Sequence, residues 1–379
     1  MIGVVDVTGA PARLVGGLPL PLRSLLQLQS VGVAALGLVG DGAAELFARV
    51  RDDDRLRVTV TVGDGALGGP HLLLRGDALL DATALRALLA SPGCIGDASG
   101  VVALHRPEGI VGDPWERSTL APIIAGSSRR VRTAADCTAA TVGLLEGLRK
   151  PQDGMVSRAL NRSLSLAVTR VLCGTGLRPN TLSVGILALG ALGAYLASLG
   201  TPLAIAVGGV LFQSQSVLDG CDGELARLTF RGSKAGEWID TVGDDLTNYG
   251  FFAGLAVGLG RAGLGAWAFP AGVVGVVAGF VASGIEYRWL YAHGTGDLTK
   301  YPLGFGDDAG AAPERGVTAL LARARPLFKR DFFVFATMIA TSFGLRTSLA
   351  MLVLFAAGAI ATLSAVLRSE WARRGEGAR

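Results

Sequence analysis

From Leu182 to Leu218 the chain carries no charged side chain. A soluble surface does not leave so long a run bare, whereas a bilayer-spanning helix needs about 20 mostly apolar residues. The run accommodates two spans, 182–199 and 202–218, joined at Gly200-Thr201. The stretches 239–260, 264–285, 332–345 and 347–367 qualify or nearly do. Their abundant glycine and alanine suit close helix packing in lipid. The first 150 residues read differently, with charge-dense stretches such as Arg51-Asp52-Asp53-Asp54-Arg55. Short apolar runs there (Val31–Val39, Leu56–Val62) alternate with helical patterns (Asp41–Arg51, Asp81–Leu89), which predicts layered α/β structure. The expected fold is therefore a polytopic α-helical membrane domain of six transmembrane helices, preceded by a soluble α/β domain. Only 17% of residues are charged, against about 25% in ordinary soluble domains, so neither one soluble domain nor disorder fits.

Basic residues set the expected orientation. Arg261 and Arg346 are alone in the short loops of one side. The other side carries Arg227, Arg231, Lys234, Arg288, Lys300, Arg315, Arg323, Arg325, Lys329 and Arg330, and the tail adds Arg368, Arg373, Arg374 and Arg379. Both termini are expected in the cytoplasm, with the protein in the cytoplasmic (inner) membrane. No basic n-region precedes an apolar core at Met1–Asp6, so no signal peptide is read there. Met155–Leu172 alternates apolar residues with Arg158, Arg162 and Arg170 at helical spacing. That predicts an amphipathic helix lying on the membrane surface, with an ordinary surface helix as the alternative. Cys94, Cys137, Cys173 and Cys221, like His71, His105 and His293, are dispersed, so buried thiols are expected rather than zinc or disulfides. No aromatic-studded basic face points to nucleic acid.

The chemistry gathers in Leu218–Gly250. Asp219, Asp222, Gly223, Ala226 and Arg227 recur at the spacing of one helix face, and Asp240 and Asp244 lie four apart on the next helix, one turn beyond Gly236. With a turn at Arg231–Lys234, two antiparallel helices would aim four carboxylates at each other near the membrane edge. Such a cluster repels itself unless something positive sits in it, and hard oxygen ligands suit Mg²⁺, Mn²⁺ or Ca²⁺, two of which can share carboxylates. Gly223 and Gly236 would admit a ligand close to the backbone. Arg227 would present a donor fork to phosphate. Together these features read as a metal–diphosphate site. The alternative, helix-end acids paired with Arg227, Arg231 and Lys234, suits each Asp singly but not the whole pattern.

The pattern Asp219-x2-Asp222-Gly223-x2-Ala226-Arg227-x8-Gly236-x3-Asp240-x3-Asp244 resembles the signature of the CDP-alcohol phosphotransferase family of integral membrane enzymes, in every position and interval. Pro179-Asn180-Thr181 with Ser183 resembles that family's lead into its first span, and the likeness runs over residues 150–370. The resemblance implies that Asp219, Asp222 and Asp240 ligate two ions, Mg²⁺ or Mn²⁺, with Asp244 near the second ion and acting as general base. It implies nucleotide contacts from Gly223, Ala226 and Arg227, with Asp219, Asp222 and Gly236 beside them. The implied reaction is attack of an acceptor hydroxyl on a CDP-alcohol, releasing CMP and forming a phosphodiester, by a homodimer. Acceptor binding would fall to Arg288, Lys329 and Arg330, which equally suit anchoring of helix ends.

In the first 125 residues, Gly9–Leu14 and Pro19-Leu20-Pro21-Leu22 resemble the phosphate loop and the following segment of sugar-phosphate nucleotidyltransferases, and Arg75-Gly76-Asp77 resembles their metal corner. Pro11 replaces a loop glycine, and Leu20 stands where the catalytic lysine would be. The resemblance thus implies a nucleotidyltransferase-like domain that has lost catalysis. The expected layout is that domain over 1–125, a linker and connecting helix over 126–154, the amphipathic helix over 155–172, the membrane domain over 173–370 and a basic tail over 371–379. A donor such as CDP-diacylglycerol represents the larger class. The fusion is similar instead to enzymes that join CDP-inositol to inositol phosphate. Two alternatives stay open: a bifunctional protein with an active cytidylyltransferase half, and a transporter with an acidic ion site.

Overall fold

Val4 and Val5 in the N-terminal strand are wholly buried, as expected of a strand covered on both faces of a parallel sheet. The computed structural model describes residues 1–63, 70–97, 100–107, 115, 122, 126–149, 153–302 and 329–376. Arg315, Arg323, Arg325 and Arg379, counted above for orientation, lie outside the described residues. The chain divides into two units. One comprises Met1–Leu148 with Arg170–Gly176 and Arg227–Arg231. The other comprises Arg149–Thr169, Leu177–Ala226 and Gly232–Arg379.

In the N-terminal unit, β1 (Ile2–Asp6) pairs in parallel with β2 (Ala35–Val39) and with β4 (His71–Arg75), Ile2 facing Ala35 and His71. β3 (Val60–Val62) runs parallel to β2, whereas β7 (Gly100–Arg106) and β6 (Gly93–Asp97) add two antiparallel strands in the order β3-β2-β1-β4-β7-β6. A second, two-stranded sheet joins β5 (Ala78–Leu80) to β8 (Ser128–Arg130). Among the described residues, four helices accompany the strands: α1 (Leu20–Ser30), α2 (Ala43–Val50), α3 (Ala82–Ala90) and α4 (Ala134–Glu146). Asp81 caps α3 by accepting from the Ala84 amide, and Thr133 with Asp136 forms a capping box on α4. The expected α/β layers are present, with shorter strands than the apolar runs suggest. The Val31, Gly32 and Val33 amides are taken by carbonyls at the end of α1, so the run from Val31 closes a helix before it becomes a strand. Pro19–Leu22 is the start of α1, where proline is tolerated because the first helical amides have no intrahelical partner.

The second unit is helical. It contains most of α5 (Arg162–Leu172) and of α7 (Pro202–Leu228), together with α6 (Pro179–Ser198), α8 (Lys234–Leu259), α9 (Gly265–Ala292), α10 (Arg330–Ser342) and α11 (Leu345–Glu376). Among the described residues, four helical runs are long and apolar enough to cross a bilayer: Pro179–Ser198, Pro202–Leu228, Lys234–Ala292 and Leu345–Arg373. That marks an integral membrane protein and falls short of the six spans expected. The third run breaks at Gly263, whose φ of 90° no helix accommodates, and so divides into α8 and α9. These pack on each other, with the Tyr249 and Phe280 rings 4.8 Å apart. α10, read from sequence as the fifth span, has 13 residues and reaches about 20 Å, less than the roughly 30 Å hydrocarbon core.

Small residues bring α8 against α6, where a Cβ at Gly254 or Gly258 would collide with the carbonyls of Ala194 and Ala197. Around this seam Phe212 stacks on Phe251 and Phe252 stacks on Phe355. Large apolar side chains such as Val184, Leu203, Trp267 and Val273 are exposed, the arrangement a lipid surroundings favours. α5 follows the same inverted logic. Its inward face is Arg162, Ser165, Leu166 and Thr169, and Leu164 and Val171 point outward. Arg162 therefore does not reach for lipid headgroups as the amphipathic pattern suggests. It donates to Glu224 on α7 at 2.6 Å and to both oxygens of Asp153. The four cysteines are buried, as expected.

Candidate active site

The helix boundaries place the acidic pattern on facing elements. Asp219, Asp222, Gly223 and Ala226 occupy the last turns of α7. Ser233 caps α8 through the Gly236 amide at 3.0 Å, which starts the helix one turn before Asp240 and Asp244. Asp219, Asp222 and Asp240 line one small cleft together with Ser183, Ile186 and Leu187 of α6, Gln215 of α7, and Ile239, Gly243 and Thr247 of α8. Ser183 donates a short hydrogen bond to Asp222 Oδ2, which fixes that carboxylate at the cleft wall. Gly236 faces Asn180 at the start of α6.

Asp244 is drawn to a different partner. Arg330, the first residue of α10, donates from Nη1 to Asp244 Oδ2 at 2.9 Å and to Asp219 Oδ2 at 3.3 Å, while its Nη2 lies 2.8 Å from Asp244 Oδ1. One guanidinium thus ties the carboxylate at the far end of the motif to the first one. Lys329 holds the position just before α10. Arg288 pairs with Glu370 at 3.4 Å and borders a groove formed by Phe280, Ile285, Leu367 and Trp371, not the acidic cleft. Arg227 is exposed, in the last turn of α7.

Among the described residues no three acidic, histidine or cysteine side chains converge tightly enough to enclose an ion by themselves. Three carboxylates around one cleft nevertheless supply the all-oxygen donor set that a hard divalent ion prefers. Mg²⁺ in particular is usually held by one or two carboxylates, with water and substrate phosphates completing its shell. The residues present fit an ion that arrives with a diphosphate.

Three features were not read from the sequence. Gln215 lines the cleft and is almost wholly buried. Tyr287 donates to Asp245 at 2.6 Å, tying α9 to α8 one residue past Asp244. Glu224, fully buried, accepts from Arg162, Ser165 and Thr169 and so locks α5 onto α7 directly beside Asp222 and Gly223. Glu224 carried a signal, being an acid beyond the four Asp of the pattern and set between Gly223 and Leu225.

Residues 177–303 match the family model described as CDP-alcohol phosphatidyltransferase, and carry such a domain. Three similar proteins are each named bifunctional IPC transferase and DIPP synthase. That of Thermococcus kodakarensis is 41% identical over 104 residues, 27% of this chain and 23% of the relative. That of Aquifex aeolicus is 39% identical over 107 residues, 28% of this chain and 24% of the relative. That of Rubrobacter xylanophilus is 38% identical over 142 residues, 38% of this chain and 31% of the relative. The chain thus matches less than a third of the length of these curated relatives.

Proposed function

We propose that the helical unit transfers a substituted phosphate from a CDP-alcohol to an acceptor hydroxyl, releasing CMP and forming a phosphodiester. The observation that carries this reading is the convergence of Asp219, Asp222 and Asp240 on one cleft of a domain matched by the CDP-alcohol phosphatidyltransferase model. A divalent ion held by these carboxylates, with a second near Asp244, would neutralise the diphosphate and stabilise the departing CMP. Gly223, Ala226 and Gly236, small residues of the same motif, would let the nucleotide approach the backbone, and Arg227 offers its fork to the phosphates. Asp244 removes the proton from the acceptor hydroxyl. Arg330, in contact with Asp244, orients that carboxylate and is the best placed of the basic residues to meet a phosphorylated acceptor. Arg288, beside Glu370, is set aside from that role.

Fusion to an α/β unit and the bifunctional names of the relatives favour a polar CDP-inositol-like donor over CDP-diacylglycerol. The N-terminal unit itself is read as inactive. Leu20 is fully buried where a triphosphate needs a cation, and Asp77 is spent on Arg130 and Arg132 at 2.6 and 2.7 Å. The protein is expected as a homodimer in the cytoplasmic membrane with both termini inside.

The test is CMP release by purified protein in nanodiscs with Mg²⁺ or Mn²⁺. CDP-inositol and CDP-diacylglycerol are each offered against alcohol and phosphorylated acceptors. CMP formed with one donor–acceptor pair, and lost on chelation, supports the proposal and names the substrates. No CMP and no cytidine nucleotide binding would overturn it in favour of a transporter.

A further inference from the structure

The last two residues of α7 and the start of the turn to α8, Arg227–Arg231, pack as part of the N-terminal unit. A helix ends with carbonyls that have no intrahelical partner, and cationic side chains are the natural groups to satisfy them. Two arginines do so here. Arg23 of α1 is 2% exposed and donates from Nη2 to the Leu228 carbonyl at 2.8 Å, while Nε and Nη2 also hold the Val15 and Gly16 carbonyls. Arg55 donates from Nη1 to the Thr229 carbonyl at 2.9 Å, its other nitrogens being gripped by Asp53. Between them Phe230 stands at φ 57°, a left-handed conformation that a bulky residue adopts only when held there. Its ring packs with Leu18, Leu22, Leu26 and Val50 and lies under the Arg23 guanidinium at 5.5 Å. Arg231 reaches Asp54 at 3.7 Å.

All of these partners precede residue 60, in the part of the chain where Leu20 replaces a catalytic cation. Arg23 lies one turn further along the same helix. Burial pulls its guanidinium down to about 10, still charged at neutral pH, so it requires fixed acceptors, and the turn supplies one.

We propose that the N-terminal unit positions the donor site: Arg23 and Arg55 cap the end of α7 and, with Phe230, hold the α7–α8 turn so that Gly223, Ala226 and Arg227 meet the cytidine diphosphate in one fixed arrangement. Arg23 and Arg55 are positioning residues and touch no substrate. The role at the donor rests on the proposed function; the clamp on the turn does not.

Arg23→Met, Arg23→Lys and Arg55→Met are compared with wild type and with Leu85→Val, which loosens the sheet core away from the turn. Amide exchange across 227–232 and KM for donor and acceptor are measured on the full chain in nanodiscs. Arg23→Met and Arg55→Met are expected to speed exchange in the turn about tenfold and to raise donor KM about fivefold with acceptor KM unchanged. Arg23→Lys, which retains one charged donor, recovers part of both effects, and Leu85→Val moves neither. Unchanged exchange in Arg23→Met overturns the clamp. Faster exchange with unaltered donor KM, or an equal KM shift in Leu85→Val, overturns the positioning role. A wild type that releases no CMP sinks the donor reading by itself, and the exchange measurement still decides the clamp.

Discussion

Arg330 embraces Asp244 with both terminal nitrogens, 2.9 and 2.8 Å from the two carboxylate oxygens, and still reaches Asp219. A guanidinium in that position neutralises the same carboxylates that a divalent cation would use, so the two compete. Removing the charge at close range is worth on the order of 1–4 kcal/mol to an incoming cation. Arg330→Gln is therefore expected to bind Mn²⁺ about tenfold more tightly in the absence of nucleotide, as read by the loss of free-ion electron spin resonance signal. Turnover should fall at the same time, since Asp244 loses the group that orients it. Weaker Mn²⁺ binding in this variant would show that Arg330 supports the ion site instead of competing with it.

Asp244 does not line the cleft formed by Asp219, Asp222 and Asp240, so the proposed roles of proton removal and donor binding can be tested apart. Asp244→Asn should lower CMP release by about 10²–10⁴-fold, the span of general-base catalysis, while cytidine nucleotide binding stays near wild type. Asp222→Asn should instead weaken nucleotide binding in the presence of Mg²⁺. Equal loss of binding in both variants would merge the two roles.

Glu224 is fully buried and holds Arg162, Ser165 and Thr169. Deleting one member of a buried ion pair strands the other, at about 3–5 kcal/mol. Asp153 also grips Arg162 and brings the expected loss for Glu224→Ala to the lower end. Thermal unfolding in detergent measures it. Glu224→Gln, which keeps an oxygen acceptor for Ser165 or Thr169, should recover part of the stability.

The four-residue spacing of Asp240 and Asp244 was enough to foresee two carboxylates on α8, and the charge-free run enough to foresee α6 and α7, because helical period and bilayer thickness act locally along the chain. Arg330 as the partner of Asp244 was beyond reach, since an interval of eighty-six residues has no periodicity to betray it. α10 misled because its apolar composition says nothing about its length against the bilayer. Arg162 misled in the same way: the pattern shows that a face is polar, and not whether that face turns to headgroups or to a buried Glu224. Leu20 and Asp77 were singled out through resemblance, and only the structure shows one sealed in a core and the other bound by two arginines.

Asp53 gives the N-terminal unit an acid limit. Its hydrogen bond from the Arg55 side chain, foremost among its causes, holds the carboxyl below its ordinary range. A depressed acid contributes stability that is complete above the unfolded value of about 3.9 and is lost as pH falls through the folded one. Thermal stability should therefore drop on acidification below about pH 4, and the drop should be shallower in Asp53→Asn, which starts from a lower midpoint at neutral pH. An identical acid slope in both proteins would mean other carboxylates set it.

The N-terminal unit invites an attempt to revive nucleotidyl transfer by Leu20→Lys, and that attempt should fail for two separate reasons. Leu20 is wholly buried among Val15, Val131, Cys137 and Ala140, so an ammonium placed there must be desolvated or must push the helix outward. Asp77, at the corner where a metal would be expected, already accepts from Arg130 and Arg132, which leaves a cation little reason to displace them. Neither wild type nor Leu20→Lys should form pyrophosphate from CTP with any phosphorylated alcohol, and the substitution should lower the unfolding midpoint of the unit. Pyrophosphate from wild type would mean that a cation other than residue 20 serves the triphosphate, with Arg13 in the preceding loop the first to test.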